Sequence, residues 1–147
     1  MPRTKERLAQ LRTVPMFQVC TNKELALVAR LAEELTVRAG DVVVTEGEPG
    51  REFYVLIRGQ AEVTQQGSTV AVLGPGDYFG ELALLDPQPR SATTTMLSDG
   101  ELLEVTQREF WQLVTDVPAL ARKLLHGLAR RLHAEELVCR AVNPPDK

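Results

Sequence analysis

The chain has 147 residues, of which 44% are hydrophobic and 25% charged, so it is long enough for one domain with a buried core. Its formal net charge of −3 does not favour binding to nucleic acid, which is itself negatively charged. No stretch approaches the roughly 20 apolar residues that span a bilayer, and the charged N-terminus lacks the apolar core of a secretion signal. These features predict a cytoplasmic globular domain without a membrane segment.

The sequence of residues 1–34 predicts a helical segment. Two leucines three residues apart, flanked by charges, favour a short amphipathic helix over about 3–12. Thr21, followed three residues later by Glu24, is typical of a capping box, in which each side chain bonds the main-chain N–H of the other residue. This pattern predicts a second helix that continues through about Glu34.

Residues 35–105 consist of short β-type runs punctuated by glycines, which predicts a small antiparallel barrel or sandwich. The glycines fall mostly where tight turns are needed. The strand candidates are Val42–Thr45, Phe53–Ile57, Ala61–Thr64, Val70–Leu73, Ser91–Met96 and Glu101–Val105.

The stretch at 79–95 interrupts this sheet and has the properties of a cradle for an anion that also carries hydroxyls. Gly80 allows close backbone approach, and the helix formers that follow it predict a helical turn whose unpaired N–H groups would bind phosphate. Arg90 can supply a fixed positive fork to the same phosphate. The negative charge of Glu81 would repel a phosphate. A ligand hydroxyl that donates a hydrogen bond to its carboxylate would explain why a glutamate lies there.

The segments FGELAL at 79–84 and PRSAT at 89–93 closely resemble the phosphate-binding cassette of the cyclic nucleotide-binding domains, which occur in bacterial cAMP-responsive regulators, cyclic-nucleotide kinases and gated channels. The resemblance implies a mainly β fold, an eight-stranded antiparallel β-roll of jelly-roll type, with N-terminal helices and a long C-terminal helix. One departure is visible, because many members carry Asp and a polar partner where this chain has Arg51 and Glu52. Since that change lies in a turn, it weakens the fold prediction little.

The resemblance also implies which residues bind the ligand. Arg90 would hold the phosphate, Glu81 would accept from the ribose 2′-hydroxyl, and the backbone near Gly80 would approach the ligand closely. Ser91 would offer its N–H or its hydroxyl, but it does not decide between cAMP and cGMP, and cAMP is favoured on family frequency alone. No metal, catalytic residue or other cofactor is expected. The expected ligand-binding residues are Gly80, Glu81, Leu82, Ala83, Arg90 and Ser91.

Residues 106–147 complete the predicted single domain with helices. Thr106 and Glu109 form a second capping-box pattern. Asp116 is placed to cap the final helix, with Pro118 tolerated in its first turn. In the earlier cassette, Phe79 is predicted to be a core anchor that holds the cassette against the roll.

An apolar stripe runs along the final helix from Leu120 to Val138. It can cap the base, pair with a second copy in a homodimer, or do both. In the resembled family, binding swings this helix over the nucleotide. Only about ten residues follow Val138, which are too few for a helix-turn-helix, so no DNA-binding module is expected in this chain.

The leading hypothesis is therefore a non-enzymatic cyclic nucleotide sensor that relays binding through its terminal helices. A protein-interaction scaffold on the same fold is an alternative, against which the intact Glu81 and Arg90 argue. A cupin-type metalloenzyme is a weaker alternative, because the only histidines, His126 and His133, both fall on the predicted last helix.

Overall fold

The computed structural model describes residues 4–80 and 88–142, and within these ranges the side chains from residue 8 to residue 130 apart from Met16. The helices are α1 (Thr4–Arg12), α2 (Asn22–Leu31), α3 (Gln107–Asp116) and α4 (Pro118–Val142), with a 3₁₀ turn at Pro15–Phe17. The strands are β1 (Glu33–Val37), β2 (Val42–Val44), β3 (Glu52–Arg58), β4 (Ala61–Gln65), β5 (Ser68–Leu73), β6 (Tyr78–Phe79), β7 (Thr93–Met96) and β8 (Gly100–Thr106).

Within the described residues, eight strands form two antiparallel four-stranded sheets. Sheet A has the order β1-β8-β3-β6, and sheet B has the order β2-β7-β4-β5. Because β3 leads into β4 and β7 leads into β8, the chain passes repeatedly from one sheet to the other. The predicted eight-stranded antiparallel β-roll with helices at both ends is confirmed.

Strand β3 explains how the two halves of the core are joined. Its alternate residues Phe53 and Val55 pack in one cluster with the helices, whereas Tyr54 and Leu56 pack in a second cluster with sheet B. All four side chains are buried. A strand covered on both faces needs a continuous apolar run, and this accounts for the unbroken FYVLI of β3.

The N-terminal capping box is confirmed, but helix α2 is shorter than predicted. The Thr21 hydroxyl accepts from the Glu24 N–H at 3.1 Å, and the Glu24 carboxylate accepts from the Thr21 N–H at 2.8 Å. The prediction of a helix through Glu34 was wrong, because Ala32 has the extended angles φ −89° and ψ 148° and Glu33 begins β1. Pairing of β1 with β8 places Glu33 opposite Glu104, so the sheet overrides the local helix preference.

The second capping box, at Thr106, is also confirmed. The prediction that Asp116 caps the last helix was wrong, because Asp116 is the final residue of α3. The Val117 N–H donates to the Leu113 carbonyl at 2.7 Å, which closes the last turn of α3. Pro118 occupies the first position of α4, where its missing N–H costs no helical hydrogen bond.

Helix α4 packs against the helix-side core and against sheet A. Leu120 and Leu124 are buried in that cluster. Gly127 lies so close to Tyr78 that a Cβ atom there would come within 2.5 Å of the tyrosine hydroxyl. Tyr78 belongs to the two-residue strand β6, which ends immediately before Gly80. No helix in the described part of the chain is long and apolar enough to cross a bilayer.

Candidate functional site

Arg90 is a buried cation held at the edge of the roll. The residue is 7% exposed, although arginine is rarely buried without a partner. Its Nη1 donates to the Glu52 carbonyl at 3.0 Å, and its Nη2 donates to the Glu52 carboxylate at 3.3 Å. One residue at the start of β3 therefore supplies both a main-chain and a side-chain acceptor to the guanidinium.

The main chain at Arg90 is fixed as firmly as its side chain. The Arg90 N–H donates to the Glu48 carbonyl at 2.9 Å, and the Arg90 carbonyl accepts from the Gly47 N–H at 2.8 Å. Nearby, the Glu46 N–H donates to the Thr93 hydroxyl at 2.9 Å. The segment that returns from the cassette is thus bonded along the β2–β3 loop, and Arg90 is preorganised rather than free to sample many rotamers.

Two glycines make the space that the guanidinium occupies. A Cβ atom on Gly50 would overlap Nε, Cζ and Nη2 of Arg90. A Cβ atom on Gly80 would lie 2.7 Å from the Glu52 carbonyl oxygen and 2.9 Å from Arg90 Nη1. Gly80 also has φ +88°, a conformation that favours glycine. Neither position tolerates a side chain while Arg90 keeps this placement.

An aromatic pair packs beneath the start of the cassette. Phe79 is buried and stacks on Tyr54, with ring centroids 5.2 Å apart and an interplanar angle of 20°. The predicted role of Phe79 as a core anchor is confirmed. The Tyr54 hydroxyl donates to the Glu104 carboxylate at 2.8 Å. Burial, followed by this hydrogen bond and the negative charges of Glu104 and Glu52, raises the pKa of Tyr54, while the positive charge of Arg90 opposes the rise.

The predicted ligand-binding residues are only partly within the described structure. Gly80 and Arg90 lie side by side, because a Cβ atom on Gly80 would be 2.9 Å from Arg90 Nη1. Ser91 is exposed, and its carbonyl accepts from the Gln65 side chain at 3.0 Å. The predicted residues Glu81, Leu82 and Ala83, and the helical turn expected there, lie outside the described residues. The ligand roles of all six residues remain predictions.

The described residues hold no cluster of three His, Cys, Asp or Glu side chains arranged for a metal ion. His126 is exposed on α4. The side chain of His133 lies outside the described residues, so the structure describes only His126 of the two predicted histidines. Cys20 is buried with a free thiol in the helix-side core.

Gly50 and Glu52 also belong to this site, although the sequence did not predict them as site residues. Arg51 and Glu52 were predicted to be a minor departure in a turn, yet Glu52 supplies both acceptors to the Arg90 side chain. One signal could have found Glu52, because it lies in the pair of positions, 51 and 52, where many members of the resembled family carry an acidic and a polar residue. Its distance of 38 residues from Arg90 made the contact invisible to local patterns.

The fold and the site together define a β-roll domain of the ligand-binding type, with flanking helices and a buried arginine beside a glycine. A profile described as the cyclic nucleotide-binding domain matches residues 34–116, more than half of the chain. The chain belongs to the cyclic nucleotide-binding domain family, as the resemblance of its cassette predicted.

Three comparisons illustrate the relationship. The chain is 28% identical over 122 residues to a CRP-like cAMP-activated global transcriptional regulator of Mycobacterium tuberculosis, which covers 80% of this chain and 54% of that protein. It resembles the crystal structure of the Thermus thermophilus catabolite activator protein with a TM-score of 0.80 and 30% identity, covering 87% of this chain and 62% of that one.

The third comparison is a co-crystal structure of the regulatory domain of Toxoplasma gondii PKA with cAMP. The TM-score is 0.65 and the identity 32%, over 77% of this chain and 45% of that one. The chain spans about half the length of the mycobacterial regulator.

Proposed function

We propose that this chain is a cyclic nucleotide sensor domain whose ligand is cAMP. The observation that carries the proposal is the buried guanidinium of Arg90, held by main-chain bonds and fitted against two glycines in a member of this family. The names of the mycobacterial regulator and of the co-crystallised Toxoplasma domain both specify cAMP, which supports cAMP over cGMP.

In this proposal Arg90 binds the cyclic phosphate by charge-assisted hydrogen bonds. Its side chain is 6% exposed, so little water competes for the charge. Gly80 provides close backbone approach, Ser91 adds an N–H or a hydroxyl, and Glu81 accepts from the ribose 2′-hydroxyl. A charge-assisted hydrogen bond contributes about 1.5–3 kcal/mol, so Arg90→Ala should weaken binding about 10- to 150-fold.

The relay to the terminal helices is proposed to run through Tyr78. This residue precedes the cassette by one position and its hydroxyl lies against Gly127 of α4. Its ring also packs edge-on against Phe53, with centroids 5.6 Å apart. Movement of the cassette would therefore displace a side chain that already contacts α4, and a two-state shift of that helix needs such a differential contact.

The last helix is also proposed to form a homodimer. Leu125 is 64% exposed on α4, although its neighbour Leu124 is buried in the core. An exposed leucine on the predicted apolar stripe supports pairing with a second copy. Sedimentation equilibrium of the wild type and of Leu125→Glu tests this, and a monomeric wild type would contradict it.

Calorimetric titration with cAMP and with cGMP, for the wild type and Arg90→Ala, tests the proposed function. Micromolar or tighter binding that Arg90→Ala weakens at least about tenfold would support it. The protein must first be shown to be folded and free of co-purified nucleotide. Absence of binding to either nucleotide under those conditions would refute the sensor proposal and favour a nucleotide-independent scaffold.

A further inference from the structure

We propose that Glu52 is a built-in competitor for Arg90 that weakens the affinity of this chain for the cyclic phosphate. The inference rests on the proposed function, since it assigns a charge that opposes ligand binding at the same arginine. It is carried by the contact between the Glu52 carboxylate and Arg90 Nη2, 3.3 Å apart.

The two acceptors that Glu52 offers have different roles. Its main-chain carbonyl accepts from Nη1 at 3.0 Å and belongs to β3, so it holds the guanidinium whatever side chain is present. Its carboxylate forms the longer contact with Nη2. Removal of the carboxylate charge therefore leaves the arginine positioned but frees its positive charge for another anion.

The exposure of the two partners is unequal. The Arg90 side chain is 6% exposed and the Glu52 side chain 38% exposed. A partly exposed carboxylate regains water readily when another anion takes its place, whereas the buried guanidinium would lose its hydrogen bonds if it moved. The cyclic phosphate can thus replace the Glu52 carboxylate at Arg90. Breaking the existing ion pair uses part of the free energy gained when the phosphate binds.

The local charge balance points in the same direction. A cyclic phosphate and the Glu52 carboxylate would share one guanidinium, which leaves one net negative charge. Glu104 contributes a further negative charge beside Tyr54, and its carboxylate accepts from the Tyr54 hydroxyl at 2.8 Å. Two opposite unit charges about 4 Å apart in water attract each other enough that giving up the Arg90–Glu52 ion pair changes an affinity about fivefold.

The test is calorimetric titration of cAMP into the wild type, Glu52→Gln and the matched control Glu48→Gln. Glu48 is exposed in the same loop, and its carbonyl accepts from the Arg90 N–H, so its substitution removes the same charge without touching the guanidinium contact. We expect Glu52→Gln to bind about three- to tenfold tighter and Glu48→Gln to stay within about twofold of the wild type. The gain should shrink as salt is added.

A double-mutant cycle separates action through Arg90 from a general effect of charge. In an Arg90→Ala background, Glu52→Gln should change the affinity by less than about twofold, because the shared guanidinium is gone. Glu52→Asp, which keeps the charge, should not bind more tightly than the wild type. If Glu52→Gln does not fold, Glu52→Ala removes the same charge and answers the same question.

The outcomes are distinguishable from failure of the proposed function. Wild-type binding with unchanged or weaker binding by Glu52→Gln would overturn this inference and leave the sensor proposal standing. An equal gain in the Arg90→Ala background would also overturn it. Binding by Glu52→Gln alone would support the inference, whereas no binding by any variant with an intact arginine would refute both proposals.

Discussion

The substitution Gly50→Ala tests whether the placement of Arg90 governs binding. Gly50 does not have a positive φ, so alanine is compatible with its backbone, but the new Cβ would overlap the guanidinium. The atoms in its way are the far end of a flexible side chain, so we expect the arginine to swing out while the fold persists. The substitution thus displaces Arg90 without removing it.

The magnitude follows from the hydrogen bonds that are lost. Displacement removes the bonds from Arg90 to Glu52 and with them the charge presented to the ligand. We expect cAMP affinity to fall about 10- to 150-fold, as for Arg90→Ala, and the free energy of unfolding to fall about 1–3 kcal/mol. Titration calorimetry measures the first effect, and urea unfolding measures the second.

Gly74→Ala is the matched control. Gly74 also lacks a positive φ, and nothing lies within 4 Å of a Cβ built there. Alanine at this position should leave affinity unchanged and raise stability by about 0.4–1 kcal/mol, because it restricts the unfolded chain. Wild-type affinity in Gly50→Ala would refute the reasoning that this glycine makes room for a functional arginine.

Three further predictions concern the fold. Thr106→Ala should lower the free energy of unfolding by about 0.5–2 kcal/mol through loss of its capping box, and an unchanged urea midpoint would show that the box is dispensable. Gly127→Ala should stabilise the protein more in a Tyr78→Phe background than in the wild type, because the helix gains about 0.5–1 kcal/mol only when the hydroxyl is absent; equal effects in both backgrounds would contradict the contact. The raised pKa of Tyr54 means that the folded state retains a proton that the unfolded state releases near its ordinary pKa of about 10. Stability should therefore fall as pH rises above about 10, by up to about 1.4 kcal/mol per pH unit, and this loss should be smaller in Tyr54→Phe when unfolding is followed against pH.

Local chemistry allowed much of the fold to be predicted. Both capping boxes place their partners three residues apart, so a short window contains the whole interaction. The central strand β3 was predicted for a similar reason, since its apolar run is its own signal. Strand β1 was missed because Glu33 and Glu34 continue the helix pattern of α2, and only pairing with β8 makes them a strand.

The site residues were likewise predicted where they are close together in the sequence and missed where they are far apart. The cassette sequence identified Gly80 and Arg90, because the residues that define the motif are neighbours along the chain. The support for Arg90 comes from elsewhere, since Gly50 and Glu52 lie about 40 residues earlier and meet it only when β3 pairs in sheet A. Such contacts depend on strand register, which no single-residue pattern encodes.

The central claim is that a cyclic nucleotide binds with its phosphate on the buried guanidinium of Arg90. A crystal structure of the protein with cAMP tests this most directly. We expect a phosphate oxygen about 2.7–2.9 Å from an Arg90 nitrogen, with the Glu52 carboxylate farther from Nη2 than its present 3.3 Å. A nucleotide bound elsewhere, with the Arg90–Glu52 pair unchanged, would contradict the claim.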